Sequence, residues 1–522
     1  MTRSSFRPLD IPLTALSSLL LVASFPNLDL SILAWVALVP LFFLLDGSSG
    51  PKSLLLSFAA GALFFGSLIY WLTYVTKLGY VILIPVLALF FALFGVAVNL
   101  MFRAFRGDKR TALLIISIPS LWVGLEYIRG TILTGFPWAM LGYTQYKELL
   151  VIQIADITGT YGISFIIVMV NVLIYKCLAA VVSRSSGRDG LRRGLRAVKT
   201  EAITTILVLS AVFSYGLCSL RKDDVETGVR FSVVQGNIPQ EKKWDPAYKG
   251  FILNKYEKLT GEASADKTDL IIWPETSVPG YLFEDDIYFR ITDLAKKAGV
   301  PLFLGVVRYV PGEEGEGRYY NTALLISERG AIEDEYHKIH LVPFGEYTPF
   351  EKSLPFVRDF IDVPIGDFSP GGEYTLFDVY KGDVRLRYAA LICFEDIFPA
   401  LVRAFAREGA DVFVNMTNDA WFERSSAQLQ HAQASVLRAV ENRLPVVRAA
   451  NTGYSCYISP KGAVQDALYD SETGSIYIEG HRTFDISTSA TSSFYTRFGD
   501  VFAYLCVVVA AAVSLIALRK TA

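Results

Sequence analysis

Cys393 is the residue best placed to do covalent chemistry in this chain. Leu386 to Ile392 reads as an apolar strand, Cys393 ends it, and Glu395 and Asp396 follow at once. A thiolate at a strand tip can attack an acyl carbonyl, whereas a buried thiol is simply a small core hydrophobe. Two other segments carry the groups such a nucleophile needs. Trp273-Pro-Glu-Thr276 sets the carboxylate of Glu275 just past a second apolar strand. Tyr336-His-Lys-Ile-His340 sets the ammonium of Lys338 after a third strand of alternating pattern. A carboxylate can take the thiol proton, and an ammonium can stabilise the oxyanion that forms when sulfur adds to a carbonyl. Any one of these residues alone reads as an ordinary surface charge or core thiol. Three strand ends delivering all three types read as an acyl-transfer site, with the backbone N–H of Phe394 as a second oxyanion donor.

The elements that must position these side chains follow from hydrophobic pattern. Strands are expected at 229–235, 270–273, 302–307, 322–327, 331–337, 385–392, 412–416, 446–449 and 454–459. Helices are expected at 247–263, 285–298, 399–408 and 426–442. Alternating strands and helices predict a layered α/β fold, with helices on sheet faces and active residues at the carboxyl edge of strands. The short link Glu328-Arg-Gly330 predicts a hairpin, so the sheets should be mixed. Residues 343–372 form a long connection rich in Pro, Gly and aromatics, including Phe344, Tyr347, Phe350, Phe356, Phe360 and Phe368. It reads as a lid or arm that meets lipid, with an ordinary packed loop as the alternative.

The rest of the chain is of a different kind. Of 522 residues 52% are apolar, and these concentrate in 11–220 and 498–518. Eight spanning segments are expected, at 9–26, 29–46, 53–74, 79–102, 111–132, 161–183, 201–220 and 498–518. The first could instead be a cleaved signal peptide, since Arg3 and Arg7 precede its apolar core. With eight spans, four basic clusters fall on one side: Arg3 and Arg7; Arg103, Arg106, Lys109 and Arg110; Arg184 to Lys199; and Arg519 with Lys520. Positive charge marks the cytoplasmic side, so both termini should be cytoplasmic and the α/β part outside. The expected organisation is a seven-span bundle over 1–225, a catalytic domain over 226–490 and a C-terminal anchor over 491–522. Glu126 and Arg129, spaced i and i+3 within a span, are expected to support the active-site floor, bind a head group or form a structural ion pair. A net charge of −2 with no basic face points away from a nucleic-acid partner. Cys393 and Cys456 are the two thiols of the outer part, and their pairing as a disulfide is the alternative to a free nucleophile. The four histidines suggest no metal centre.

These residues carry a resemblance. The Glu275, Lys338 and Cys393-Phe-Glu395 segments resemble the Glu–Lys–Cys triad of the nitrilase superfamily of carbon–nitrogen hydrolases. With the membrane spans, the whole chain resembles the bacterial apolipoprotein N-acyltransferase family. Further matches are Gln235-Gly-Asn-Ile-Pro-Gln240 with Trp244, Tyr320-Asn-Thr322, Pro343-Phe-Gly-Glu-Tyr347, and Asn418-Asp-Ala-Trp-Phe422 followed by His431. The resemblance implies an αββα sandwich with a multi-pass helical bundle of about eight spans. It implies transfer of an acyl chain from a phospholipid, phosphatidylethanolamine above all, to the α-amino group of an S-diacylglyceryl-cysteine that begins an apolipoprotein. It implies a ping-pong cycle through a Cys393 thioester in a monomer of the bacterial inner membrane, with no cofactor or metal. Glu346 corresponds to a second active-site glutamate, Glu395 to a supporting acid, and Trp244, Tyr347, Asn418 and Trp421 to substrate contacts. The family pattern implies tyrosine after the nucleophile, and Phe394 stands here. Two other readings compete: a membrane-anchored amidase hydrolysing a small amide, and a transporter or scaffold with an inactive outer domain.

Overall fold

The computed structural model describes residues 7–107, 109–182, 198–283, 287–311, 317–348 and 367–521. Arg3, the basic residues from 184 to 196, and residues 349–366 of the aromatic-rich connection lie outside the described residues, as do the side chains of Lys109 and Arg110. The chain divides into two compact units. One comprises Met1–Thr73, Lys77–Lys222 and Phe498–Ala522, and the other comprises Tyr74–Thr76 and Asp223–Arg497.

The first unit is helical. Among the described residues six helices are long and apolar enough to cross a membrane: Gly50–Leu68, Lys77–Ala104, Thr111–Thr131, Thr160–Val182, Lys199–Leu220 and Val501–Thr521. The two remaining expected segments form shorter apolar helices, Asp10–Ala23 and Ser31–Leu45. Fourteen residues rise about 21 Å, short of the roughly 30 Å hydrocarbon thickness. Pro26 and the polar Asn27 and Asp29 follow the first of these helices, and the second opens as a 3-10 turn, Ser31–Trp35. Helices Gly50–Leu68 and Lys77–Ala104 approach closely because small residues meet: a Cβ on Gly95 would lie 1.8 Å from Ser57 Oγ. Glu126 and Arg129 are both buried. Leu141 N donates to Glu126 Oε1 at 2.7 Å, and Arg129 Nη1 donates to the Trp138 carbonyl at 2.6 Å, so both side chains secure the backbone of 138–141.

The second unit contains two six-stranded sheets. In chain order the strands are β1 (Val225–Gln235), β2 (Leu270–Ile272), β3 (Leu302–Val310), β4 (Arg318–Ile326), β5 (Ile332–His337), β6 (Leu376–Lys381), β7 (Val384–Ile392), β8 (Val412–Thr417), β9 (Val446–Ala450), β10 (Cys456–Ile458), β11 (Val464–Ala467) and β12 (Gly480–Thr488). One sheet runs β12-β1-β2-β3-β4-β5, the other β11-β10-β9-β8-β7-β6. Both are mixed, with β1-β2-β3 and β7-β8-β9 parallel and the outer pairs antiparallel. Aromatic side chains fill the space between the sheets: Phe231 of β1 and Phe303 of β3 lie 5.7 and 5.1 Å from Tyr388 of β7, edge to face. Helices α1 (Lys249–Ser264) and α2 (Ile287–Ala298) cover the first sheet, and α3 (Pro399–Glu408) and α4 (Ala427–Asn442) cover the second. This is the expected layered α/β architecture. The expected helices and strands are all present within a few residues, and the Glu328-Arg-Gly330 link is the β4–β5 hairpin. Strands β6, β11 and β12 are not among the strands expected from the sequence.

Candidate active site

Cys393 follows β7 directly and opens a short 3-10 turn, Cys393–Ile397. Its φ of 53° is left-handed, a conformation that costs an L-residue roughly 1–2 kcal/mol. The turn is held from both sides. Asn415 Nδ2 donates to the Cys393 carbonyl at 3.0 Å. Glu395 accepts from Ile392 N at 2.7 Å through one oxygen, and from Tyr336 Oη, Ile339 N and His340 N through the other at 2.8, 2.8 and 3.1 Å. Glu395 thus ties the nucleophile turn to the segment that carries Lys338. Burial pushes its carboxyl up to about 7, against the pull of Lys338 and these N–H donors. Cys393 is 9% exposed, and it and Cys456 are free thiols.

Glu275 sits just past β2. Trp273 anchors this turn by stacking on Tyr256 of α1 at 4.7 Å and donating Nε1–H to Thr260 Oγ1 at 2.9 Å. Gly305 of β3 lets the turn pass: a Cβ there would meet Pro274 O at 2.5 Å and Glu275 Cα at 2.6 Å. The Glu275 carboxylate then accepts from Asn321 Nδ2 at 2.8 Å and from Asn418 N at 3.0 Å. Lys338 follows β5 and is 1% exposed. Its Nζ lies 3.0 Å from Glu346 Oε2 and 3.6 Å from Glu275 Oε1. Asn321 Nδ2 also donates to Glu346 Oε1 at 2.8 Å, so one amide and one ammonium bridge the two glutamates.

The charges in this cluster act on one another and on the sulfur. Burial pushes the Lys338 ammonium down, but Glu346 and Glu275 outweigh it and hold the group above its ordinary range. Burial, then the Glu275 charge, push the Cys393 thiol well up, opposed by Lys338. The resting combination is therefore thiol, ammonium and an acceptor carboxylate. Ionising the sulfur requires its proton to leave for a nearby base.

Glu275, Lys338, Glu346, Glu395 and Cys393 come together in this way. Asn418 joins them through its backbone, while its side chain bonds Gln240 Oε1 at 2.8 Å and Asn451 Nδ2 at 2.9 Å. Trp244 and Tyr347 both pack against a small apolar cluster of Val307, Leu341 and Phe368. Phe394 packs its ring against Phe398 at 4.9 Å. Its N–H falls in the first turn of a 3-10 helix, where intrahelical acceptors are lacking. Trp421 stands half-buried in the turn Asp419–Phe422, and no described polar contact ties it to Glu275, Lys338 or Cys393.

Several participants are not among the residues expected from the sequence. Asn321 belongs to the Tyr320-Asn-Thr322 segment, where the sequence points to no role for its side chain. Lys243 donates to the Glu275 carbonyl at 3.1 Å and to Thr276 Oγ1 at 2.7 Å, and burial pushes it down to about 8. Asn415, Thr417 and Asp419 follow one another at every second position across the end of β8. Polar residues at period two in an otherwise apolar run were the available signal.

The chain is also similar to known proteins. Residues 17–173 match the Apolipoprotein N-acyltransferase N-terminal domain, and residues 230–481 match the Carbon-nitrogen hydrolase family. The chain is 39% identical to an apolipoprotein N-acyltransferase of Geobacter metallireducens over 98% of its own length and 96% of the relative's. It is 30% identical to the Chlorobaculum tepidum protein of that name over 99% and 98%. A nitrilase-superfamily amidase of Nesterenkonia AN1 aligns at 20% identity over 53% of this chain and 95% of the amidase, with a TM-score of 0.37. With near-complete coverage of relatives at this identity, the chain belongs to the apolipoprotein N-acyltransferase family.

Proposed function

We propose that this protein transfers a fatty acyl chain from a membrane phospholipid to the α-amino group of the S-diacylglyceryl-cysteine that begins an apolipoprotein. The observation that carries the reading is the buried cluster in which Glu275 and Glu346 share the Lys338 ammonium beside a strained, free Cys393. It stands with end-to-end kinship to proteins named for this transfer.

The cycle has two halves. Glu275 takes the Cys393 proton, and the thiolate attacks the acyl ester of the phospholipid. Lys338 and the Phe394 N–H stabilise the tetrahedral oxyanion, each donor worth about 3–4 kcal/mol. Glu275 returns the proton to the leaving alkoxide, and lysophospholipid departs. The lipoprotein amine then attacks the thioester, Glu275 removes its proton, and the thiolate leaves and is reprotonated. Glu346 keeps Lys338 charged and oriented. Asn418 holds Glu275 through its N–H, and Trp244, Tyr347 and Trp421 line the path of the acyl chains. Water exclusion favours aminolysis over hydrolysis of the thioester, a role suited to the aromatic connection 343–372.

In this reading the chain is a monomer of the bacterial inner membrane with about eight spans, the two short N-terminal helices supplying the first pair. The bundle takes up 1–225, the catalytic domain 226–490 faces the periplasm and 491–522 is the anchor, with both termini cytoplasmic. Phosphatidylethanolamine is the donor. The test is to incubate the full-length protein with a phospholipid labelled in its acyl chain. Label should appear on the enzyme, be released by hydroxylamine, and move to the N-terminus of a diacylglyceryl-cysteine peptide. Cys393→Ser should lose the thioester and the transfer. Label that persists elsewhere in that variant, or a native Cys393–Cys456 disulfide, overturns the assignment.

A further inference from the structure

Behind the nucleophile lies a second cluster of buried groups that the cycle above does not use. Its position follows from strand register. Ile392 of β7 pairs with Met416 of β8 in parallel, so Cys393, just past β7, and Thr417, the last residue of β8, stand side by side. Thr417 Oγ1 lies 3.3 Å from Cys393 Sγ and 2.9 Å from Asp419 Oδ1. The hydroxyl is fully buried and has one proton to give to two acceptors.

The groups around Asp419 limit what that proton does. His431 Nδ1 is 3.0 Å from Asp419 Oδ1, and its Nε2 is 2.8 Å from Asp396 Oδ1 and 3.2 Å from the Cys393 carbonyl. Carboxylates and carbonyls only accept, so both ring nitrogens must carry hydrogen, and the ring is an imidazolium. Arg448 Nη1 completes the set, 2.9 Å from Asp396 Oδ2, with its Nη2 3.7 Å from Asp419 Oδ2. Two carboxylates thus face two cations. Asp419 stays compensated even when the Thr417 hydroxyl turns away.

We propose that Thr417 is a catalytic residue whose hydroxyl rotates from Asp419 to the Cys393 sulfur when the thiolate forms and back when the sulfur is acylated. His431 is the positioning cation that frees it to do so and grips the Cys393 carbonyl. No proton leaves Thr417 in either position. The thiol proton goes to Glu275, and the hydroxyl only changes acceptor. A thiolate is a strong acceptor and a thioester sulfur a weak one, so the donor stabilises the attacking state selectively. The charged groups that act on the sulfur are Glu275, Lys338, Asp419 and Lys243, with Thr417 the hydrogen-bond donor.

The experiment follows the pH dependence of Cys393 alkylation by iodoacetamide in the full-length, detergent-solubilised enzyme. Thr417→Val keeps shape and removes the donor, and should displace the profile to higher pH and slow alkylation at neutral pH about tenfold, the effect of one lost hydrogen bond to a charged group. Thr417→Ser should restore the wild-type profile. Thr417→Ala, which also lacks the donor, guards against a Val variant that fails to fold and should reproduce the displacement. His431→Gln should displace the profile in the same direction. Val or Ala profiles that coincide with the wild type, or a Ser profile that coincides with Ala, overturn the proposal.

Discussion

Two sets of buried charges meet at Cys393, and they differ in balance. In front, the carboxylates of Glu275 and Glu346 share the ammonium of Lys338, with Asn321 bridging them. Behind, Asp396 and Asp419 face His431 and Arg448, two against two. Within ion-pair distance the front set has two carboxylates to one ammonium, with Lys243 turned to the Glu275 carbonyl and Thr276 Oγ1, and it can accept a proton. The rear set has its charges matched and resists change. An isolated buried charge costs several kcal/mol, so an unbalanced cluster survives in a core only where neighbours hold it and chemistry uses it. Reactivity in this unit therefore resides in the surplus, and rigidity in the match.

The strongest way to break this comparison is to remove the surplus. Glu275→Gln keeps the shape of the side chain and an acceptor for Asn418 N–H, but it cannot take a proton. The rate of thioester formation from labelled phospholipid should fall roughly 10²–10⁴-fold, the usual worth of a positioned base. Retention of most of the rate would mean that the surplus carboxylate is not the proton acceptor, and that front and rear do not differ in the way described.

A smaller effect sharpens the rear half. The flanking carboxylates of Asp396 and Asp419 overcome burial and push the His431 imidazolium up to about 9, from an ordinary value of 6.5. Because the folded value lies above the unfolded one, the stabilisation is complete below pH 6.5. It is lost as pH rises through about 9. The melting temperature of the wild type should therefore fall across that window, and His431→Gln should flatten this part of the curve. His431→Gln should also lower the melting temperature of the α/β unit at neutral pH by several degrees, at about 2–4 °C per kcal/mol for a domain of roughly that size. An unchanged slope above neutral pH in the variant would show that the rear set does not depend on the imidazolium.

The front set was largely legible in the sequence and the rear set was not, for a physical reason. Cys393, Glu275 and Lys338 each follow an apolar or alternating run, and a reactive residue at a strand tip interrupts a pattern that is easy to see. Thr417 and Asn415 sit inside a strand, where a small polar residue reads as tolerance rather than purpose. His431 lies within an amphipathic helix whose burial on nearly every side could not be read from its periodicity. Strand β12 was missed because it alternates weakly: only Phe484 and Ile486 are buried apolar residues in it, at the edge of its sheet. In the helical unit, apolar composition identified the segments but not their length. The turn at Pro26–Asp29 and the 3-10 start at Ser31 shortened two of them.

Phe394 stands where the resemblance implies a tyrosine, and the comparison of front and rear also addresses that difference. Its contribution to the front set is the backbone N–H in the first turn after the nucleophile, which any residue supplies. Its ring packs against Phe398 at 4.9 Å and faces His340 at 6.0 Å, in an aromatic group that includes neither Glu275 nor Lys338. Phe394→Tyr adds a hydroxyl to a half-buried ring without altering the turn. If the oxyanion donor is the N–H, thioester formation should stay within about threefold of the wild type, the range of substitutions that disturb no buried network. A gain of tenfold or more would show that a phenol hydroxyl adds a donor to the oxyanion. A comparable loss would show instead that the ring itself holds the nucleophile turn, a task otherwise shared by Glu395, Asn415 and His431.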